Sequence, residues 1–419
     1  MSEDNTGSAS RRGFLKSAGV IAAVTGSGFA PAAEARAEAG MAEPFYAARQ
    51  GGILTLPQRH SYFAAFDLDT GKRDDVIAML RNWSGAAAAM TQGAATPVPA
   101  GATSRMGEST ETMGLSPAHL TMTFGFGAGL FAADGRDRYG LAHARPDALI
   151  DLPRFPADRL VAARTGGDLS VQACADDPQV SFHAIRRLAQ LANGSAHLRW
   201  TQTAFLPDVK PGETPRNLLG FKDGTSNPSA TDDAALAKFV FVGSDGPAWM
   251  RGGSYVVVRR ILVALEYWDR MSAEFQEQTI GRRRSSGAPF GGTNEFDPVD
   301  LGAKDKDGNS LTPVNSHVRL ANAASNDGAR ILRRPYSFND GANHTAERWP
   351  PWRQGMEYEA GLFFVCYQRH PREGFVKIFS KLSLFDRLNE FSTHTGGGLF
   401  ACPGGIAPGE FVGQRLFET

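Results

Sequence analysis

Between Asn217 and Pro228 the chain reads Asn-Leu-Leu-Gly-Phe-Lys-Asp-Gly-Thr-Ser-Asn-Pro. Asp223 lies between Gly220 and Gly224, so the backbone can turn sharply there and hold a short carboxylate in a fixed place. Taken alone, this is a turn. Further along come Asn315-Ser-His317-Val-Arg319-Leu-Ala-Asn322 and Arg330-Ile-Leu-Arg333-Arg334-Pro-Tyr336. A carboxylate, an imidazole and a guanidinium can between them move protons, bind a metal and hold an anion. A single histidine among strands is more often a satisfied core residue, so the chemistry rests on the order and flanks of all three.

That Asp…His…Arg order, with these flanks, resembles the dye-decolourising peroxidases, a family of haem enzymes, and among them the exported, deferrochelatase-type members. The resemblance runs from about Phe45 to the C-terminus. It includes Gln50-Gly-Gly-Ile-Leu-Thr55, Thr123-Phe-Gly-Phe-Gly-Ala-Gly-Leu-Phe131, Gly166-Gly-Asp-Leu-Ser-Val-Gln172 and the glycine-rich stretch from Gly396 to Gly405. Each motif is short; their order and spacing make the likeness specific.

The resemblance implies one haem b per chain, held non-covalently, with His317 as its proximal iron ligand. It makes Asp223 the distal acid–base group and Arg333 the distal cation, with Gly220 and Gly224 shaping the cofactor side of the turn. Imidazole is a common haem ligand, and its other ring nitrogen usually donates to a carboxylate or carbonyl. Glu390, in Arg387-Leu-Asn-Glu-Phe391, matches a recurring acidic position of the family, and Asp386 is the competing choice. Arg319 would lie on the same side as His317 if the segment is extended, where it could pair with a haem propionate. Arg334 should face away from Arg333, because successive side chains of a strand point to opposite faces. Pro335 stands where glycine commonly follows the two arginines.

The N-terminus adds a second kind of signal. Ser10-Arg-Arg-Gly-Phe-Leu-Lys16 precedes a mildly apolar stretch, Ser17 to Ala33, and small-residue cleavage options such as Ala35-Arg-Ala37. This is the pattern of a twin-arginine export signal over residues 1–39, giving a periplasmic or extracellular protein. The apolar run is short and broken by Thr25, Ser27 and Pro31, so no membrane span is expected. The twin-arginine route carries folded proteins, which suits a cofactor inserted before export.

Composition narrows the classes. Lys+Arg and Asp+Glu balance at 44 each, which gives no electrostatic case for nucleic acid or an anionic membrane. The 3 cysteines, Cys174, Cys366 and Cys402, have no Cys-x-x-Cys spacing, so buried free thiols are expected rather than a disulfide framework or zinc site. Absence of Cys-x-x-Cys-His excludes covalent haem attachment of that type. Gly125-x-Gly127-x-Gly129 lacks the spacing of a dinucleotide loop, and no Walker, His-Glu-x-x-His or Gly-x-Ser-x-Gly motif occurs. The tryptophans are expected mainly in the core; Trp349 and Trp352, in an irregular stretch from Asn339 to Gln354, are the candidates for relaying electrons.

Two sets of elements with one order are expected to position these residues. In the first half, strand 62–68, helix 72–90, strands 120–126 and 169–175, helix 178–192 and strand 196–205 read as β-α-β-β-α-β. In the second, strand 253–265, helix 269–283, extended segments 330–336 and 361–369, helix 373–389 and strand 397–402 repeat it. The expected fold class is α+β, with two ferredoxin-like domains over 40–215 and 216–419 and antiparallel sheets. The resemblance implies the same pairing, with haem in the C-terminal half. A long loop, Ser285 to Pro313, leads to His317 and could border the haem.

The reading is a haem-dependent peroxidase that reduces hydrogen peroxide and oxidises small aromatic or dye-type donors. The deferrochelatase likeness implies an alternative, release of iron from haem with the porphyrin ring intact, with components of an iron-uptake system as partners. A haem-binding or delivery protein is a third reading, and a homo-oligomer is open. An ordinary aspartate titrates near 3.9 and a histidine near 6.5, so a distal Asp stays a competent base where a distal His would be protonated. Peroxidase activity is therefore expected to peak on the acid side of neutrality; a pH–rate profile that is flat from acid to alkaline pH would remove Asp223 as the controlling group.

Overall fold

The computed structural model describes residues 41–419 apart from 97–110, 112, 157, 211 and 347–353. The twin-arginine stretch, Trp349 and Trp352 lie outside the described residues. Among the described residues, no helix is long and apolar enough to cross a membrane.

In the first half β1 (His60–Leu68), α1 (Arg73–Met90), β2 (Thr121–Phe126), β3 (Leu169–Ala175), α2 (Pro178–Leu191) and β4 (Ala196–Phe205) follow in order. Asp177 caps α2, its side chain accepting from the backbone N–H of Gln179 and Val180, with Pro178 at the first turn. The strands are ordered β2-β3-β1-β4, all antiparallel. In the second half come β5 (Ser254–Val263), α3 (Ala273–Ile280), α4 (His317–Ala321), β6 (Leu332–Arg333), β7 (Tyr336–Ala346), β8 (Gln354–Gln368), α5 (Lys377–Phe385) and β9 (Ser392–Cys402). Here β9 pairs with β5, β5 with β8 and β8 with β7, again antiparallel.

The two sets of strands are one sheet. Phe126 of β2 pairs with Ala401 of β9, and Phe205 of β4 pairs with Ser337 of β7. Each seam is a single residue pair, and together they close the sheet on itself. Closure divides the side chains into an inner and an outer set, because they alternate along every strand. Phe63, Val256, Val258, Tyr336, Phe363, Val365, Tyr367 and Phe400 fill the inside. On the outer face, α1 and α2 cover the first half through Trp83, Leu80, Ile185 and Leu188, packed on Phe66, Phe124 and Val171. The three cysteines are free and buried, as their surroundings in the sequence imply.

Asn339 to Gln354, expected to be irregular, is strand through Ala346, and β8 begins at Gln354. The register between β7 and β8 shifts between Asn339 and Ala342, and residues 339–343 are all exposed. A bulged hairpin with wet faces carries no apolar alternation, so its strand character is invisible to periodicity. The segment 285–313 is a loop throughout, held by local turns.

Trp83 joins α1 to the sheet and to α2. It is 1% exposed, packs its ring 5.0 Å from Phe66, and donates its indole N–H to the Leu188 carbonyl at 2.9 Å. Trp83→Ala should cost about 3–5 kcal/mol, read as a lowered urea midpoint with an unchanged slope.

Candidate active site

Outside the closed sheet, in the second half, lies a cavity of about 510 Å³. Its floor is the outer face of β5 and β8, through Ile261, Val263, Leu362 and Phe364; α4 and α5 wall one side and the turn 217–227 another. The walls are mostly aliphatic and aromatic, with a few polar groups facing inward, which is the usual make-up of a small-molecule site.

Asp223 is placed by the turn around it. Gly220 and Gly224 have φ of +85° and +127°, conformations that side chains with a Cβ rarely adopt. The Asp223 N–H donates to the Pro215 carbonyl at 2.9 Å. Its Oδ1 accepts from Arg333 Nη1 at 2.8 Å, while among the described residues its Oδ2 has only the Asn217 amide at 3.5 Å. Gly224 lines the cavity; Gly220 does not, and serves the turn alone, its carbonyl accepting from Arg216 at 2.9 Å.

Strand alternation splits the arginine pair as expected. Arg333 faces the cavity, and Arg334 points inside the sheet, where it donates to the Thr55 carbonyl and, at 3.3 Å, to Gln58. One dipeptide thus supplies a cation to the site and anchors the strand to the first half.

His317 opens α4, after the N-cap position at Ser316. Its Nδ1 lies 2.6 Å from Asp386 Oδ2, and Asp386 is buried at 6% exposure. The other carboxylate oxygen of Asp386 accepts from the Leu388 N–H at 2.9 Å. A carboxylate accepting at both oxygens requires Nδ1 of His317 to carry the proton, which leaves Nε2 as the ring's second nitrogen. Although enclosed by the fold, the His317 side chain is 34% accessible, because it faces the cavity. Burial alone would push its pKa down; the Asp386 charge and hydrogen bond outweigh that and raise it above the usual histidine value.

Asp223 is flanked by a second buried ion pair. Lys222 Nζ donates to Glu295 Oε2 at 2.6 Å and Thr225 Oγ1 to Glu295 Oε1 at 2.9 Å. Arg282, on the cavity wall, donates to the carbonyls of Gly287 and Glu295, both at 2.7 Å. His394, which also lines the cavity, accepts at Nδ1 from Arg259 Nε at 3.2 Å, and burial and that arginine push its pKa down to about 3.

Comparison with known proteins gives this geometry its relatives. The family description "Dyp-type peroxidase, N-terminal" matches residues 50–206 and "Dyp-type peroxidase, C-terminal" matches residues 214–407. A dye-decolorizing peroxidase of Thermobifida fusca is 37% identical over 98% of this chain and 97% of its own length. The chain belongs to the Dyp-type peroxidase family. A deferrochelatase of Escherichia coli K12 is 34% identical over 100% of this chain and 99% of its own. Among solved structures, ferric DtpA from Streptomyces lividans superposes with a TM-score of 0.80 at 40% identity, covering 90% of this chain and 97% of that one. A DyP-type peroxidase from Streptomyces coelicolor gives 0.81 at 38% identity, covering 91% and 99%.

Within this Dyp-type peroxidase, three sequence assignments are corrected, the first being Gly220, which does not line the cavity as Gly224 does. Glu390 is not the partner of His317: it ends a 3-10 turn, Arg387–Glu390, and is exposed, whereas Asp386 caps that turn from a buried position. The helix α5 stops at Phe385, and that break turns Asp386 inward. Arg319 does not share a side with His317. The segment is helical, which sets residues two apart on divergent faces, and Arg319 instead donates to the Thr312 carbonyl at 3.1 Å, away from the cavity. Arg330 is the arginine at the rim, exposed and lining the cavity. Lys222, Arg282, Glu295 and His394 escape sequence reading. Only Lys222, adjacent to Asp223 in a motif already singled out, carried a signal.

The raised pKa of His317 fixes the sign of a stability effect in the cofactor-free protein. A folded pKa above the unfolded one gives stability that is full below the unfolded value, about 6.5, and fades as pH rises through the folded value. Asp386→Asn should therefore lose more thermal stability at pH 5.5 than at pH 9, by differential scanning; equal losses at both would show that the pair carries no charge.

Proposed function

We propose that this protein is a haem-dependent peroxidase that reduces hydrogen peroxide and oxidises small aromatic or dye-type donors. The observation that carries the reading is the facing arrangement across one apolar cavity. On one side His317 has its proton fixed on Nδ1 by Asp386, and on another Asp223 is paired with Arg333. Imidazole with a carboxylate behind it is a haem-ligand arrangement, so the donor chemistry fits haem b. His317 would hold the iron, Leu362, Phe364, Phe375 and Phe379 would flank the ring, and Arg330 at the rim would meet a propionate. Bound haem supplies the two-electron reduction of peroxide and the two one-electron oxidations that follow.

The chain's own residues handle protons and charge. Asp223 Oδ2, the oxygen with the weaker internal partner, takes the proton from one peroxide oxygen and returns it to the oxygen that departs as water. Arg333 aims that carboxylate, and its guanidinium offers donors to the departing oxygen as negative charge develops. The apolar walls exclude water and strengthen both effects.

We further infer two ferredoxin-like halves, divided near residues 215 and 216, with haem in the second. The strand orders β2-β3-β1-β4 and β7-β8-β5-β9 support this, the second half following the element order of the first with α4 and β6 added, as does the division of the family matches between 206 and 214. Export by the twin-arginine route belongs to the same reading and rests on Ser10 to Lys16 and the apolar stretch after it. The deferrochelatase relatives favour a second reading of the same site, iron release with the ring left intact.

Haem-loaded wild type should answer one equivalent of peroxide with a rapid change in its absorption spectrum. Asp223→Asn should slow that change about 10²–10⁴-fold. Removing the Arg333 cation with Arg333→Leu should cost about 10²–10³-fold. His317→Ala should lose haem affinity. A normal haem spectrum that ignores peroxide would overturn the peroxidase reading, and metal-free porphyrin extracted after turnover would decide for iron release.

A further inference from the structure

Two neighbours of Asp223, one before it and one two residues after it, send their side chains to the same carboxylate. Lys222 Nζ and Thr225 Oγ1 bond opposite oxygens of Glu295, at 2.6 and 2.9 Å. Glu295 is 7% exposed and sits in the long loop 285–313, where no periodicity or motif draws attention to it. Its backbone carbonyl is held by Arg282, whose guanidinium also fixes Gly287. The Lys222 stem runs against Gly287, where an added Cβ would lie 2.9 Å from Lys222 Cδ. The lysine stem therefore passes close by Gly287, and its tip is held by Glu295.

Lys222 lines the same cavity as Asp223. With its side chain only 20% exposed, its ammonium needs a partner, since a buried charge left unpaired is costly. Glu295 is the carboxylate that meets it, and Asp223, the next residue along the turn, lines the same cavity. The charged and titratable groups sharing the cavity with Asp223 are Arg333 from β6, Lys222 from its own turn, Arg282 just beyond α3, Arg330 at the rim, and His317, Asp386 and His394; Glu295 lies behind Lys222. Arg333 already bonds Asp223; a second direct cation would occupy the oxygen that has to take a proton.

We propose that Glu295 is a positioning residue for the peroxidase chemistry: it sequesters Lys222, so that Asp223 keeps one cationic partner and one oxygen free for the proton. Thr225, bonded to the other oxygen, fixes the far side of the turn. Burial pushes the Glu295 carboxyl up, but hydrogen bonds from Lys222, Thr214 and Thr225 and the Lys222 charge bring it below the usual range. The latch therefore stays ionised in mildly acidic solution. The inference rests on the reading of Asp223 as the group that takes the peroxide proton.

The test uses haem-loaded protein and azide, followed by absorption, so that binding is read without turnover. With Asp223 as the distal acid–base group, azide affinity should fall as pH rises, and the midpoint of that fall in wild type is the reference. Glu295→Gln frees Lys222 to reach Asp223, and a cation in contact favours the charged carboxylate, so the midpoint should move down by about one pH unit. Peroxide reduction in the same variant should fall in kcat more than it rises in KM. Glu295→Gln combined with Lys222→Met removes both charges, a replacement that buried pairs often tolerate, and should return the midpoint to the wild-type value. A midpoint unmoved in Glu295→Gln, or equally shifted in the double variant, overturns the proposal. If the single variant does not fold, Glu295→Ala with Lys222→Met takes its place, and a shifted midpoint there overturns it as well. A wild-type protein whose azide affinity ignores pH would instead sink the reading of Asp223 itself.

Discussion

Charges taken out of water must be matched, and that constraint shapes this site more than any other. Around the cavity, Lys222, Arg282 and Arg333 face Asp223, Glu295 and Asp386, so the formal sum of these six groups is zero with His317 neutral. Each pairing also fixes a geometry. Asp386 decides which ring nitrogen of His317 carries the proton, Arg333 decides which oxygen of Asp223 stays free, and Glu295 decides where Lys222 goes. Apolar walls raise the stakes, because an unpaired ion in low dielectric is far more costly than one at the surface.

Strand alternation sets one of these charges, Arg333, in place. Closure of the sheet gives every strand an inside and an outside, and Arg333 of β6 and the residue after it show the result. Arg333 leaves the sheet to meet Asp223, whereas Arg334 enters it to hold Thr55 and Gln58 of the first half. The same rule puts Leu362 and Phe364 on the cavity floor while Phe363 and Val365 fill the interior. The chemical surface and the core are opposite faces of the same strands, so the cavity floor and Arg333 are held by the sheet beneath them.

What could be read beforehand follows from the range of the interactions involved. β3 and β4 were legible to the residue, since they are apolar or alternating segments between clear turns. The Asp223 turn was legible because two glycines at positive φ leave a local mark. The choice between Asp386 and Glu390 was not, since it depends on where α5 stops, and a break between two helical turns follows from packing rather than local pattern. Arg319 was misplaced for a related reason: five helical residues give too little periodicity to tell a helix from an extended segment. Glu295 left no trace because its partners lie 70 and 73 residues away, and no rule of spacing links a loop carboxylate to a distant turn.

The two single-pair seams also impose an order of assembly. β2 must wait for β9, and Gln50 must wait for the Pro403 carbonyl that its amide donates to at 2.9 Å, so the first half cannot be closed until nearly the whole chain has emerged. Until then β2, and the side of β5 that β9 will cover, are bare edges, and bare edges recruit other strands. Contacts this distant in sequence form slowly, and the unclosed chain is exposed to mispairing for that interval. The last strand is therefore a lock as much as a structural element: synthesis that stops short of it leaves two reactive borders rather than a smaller stable protein.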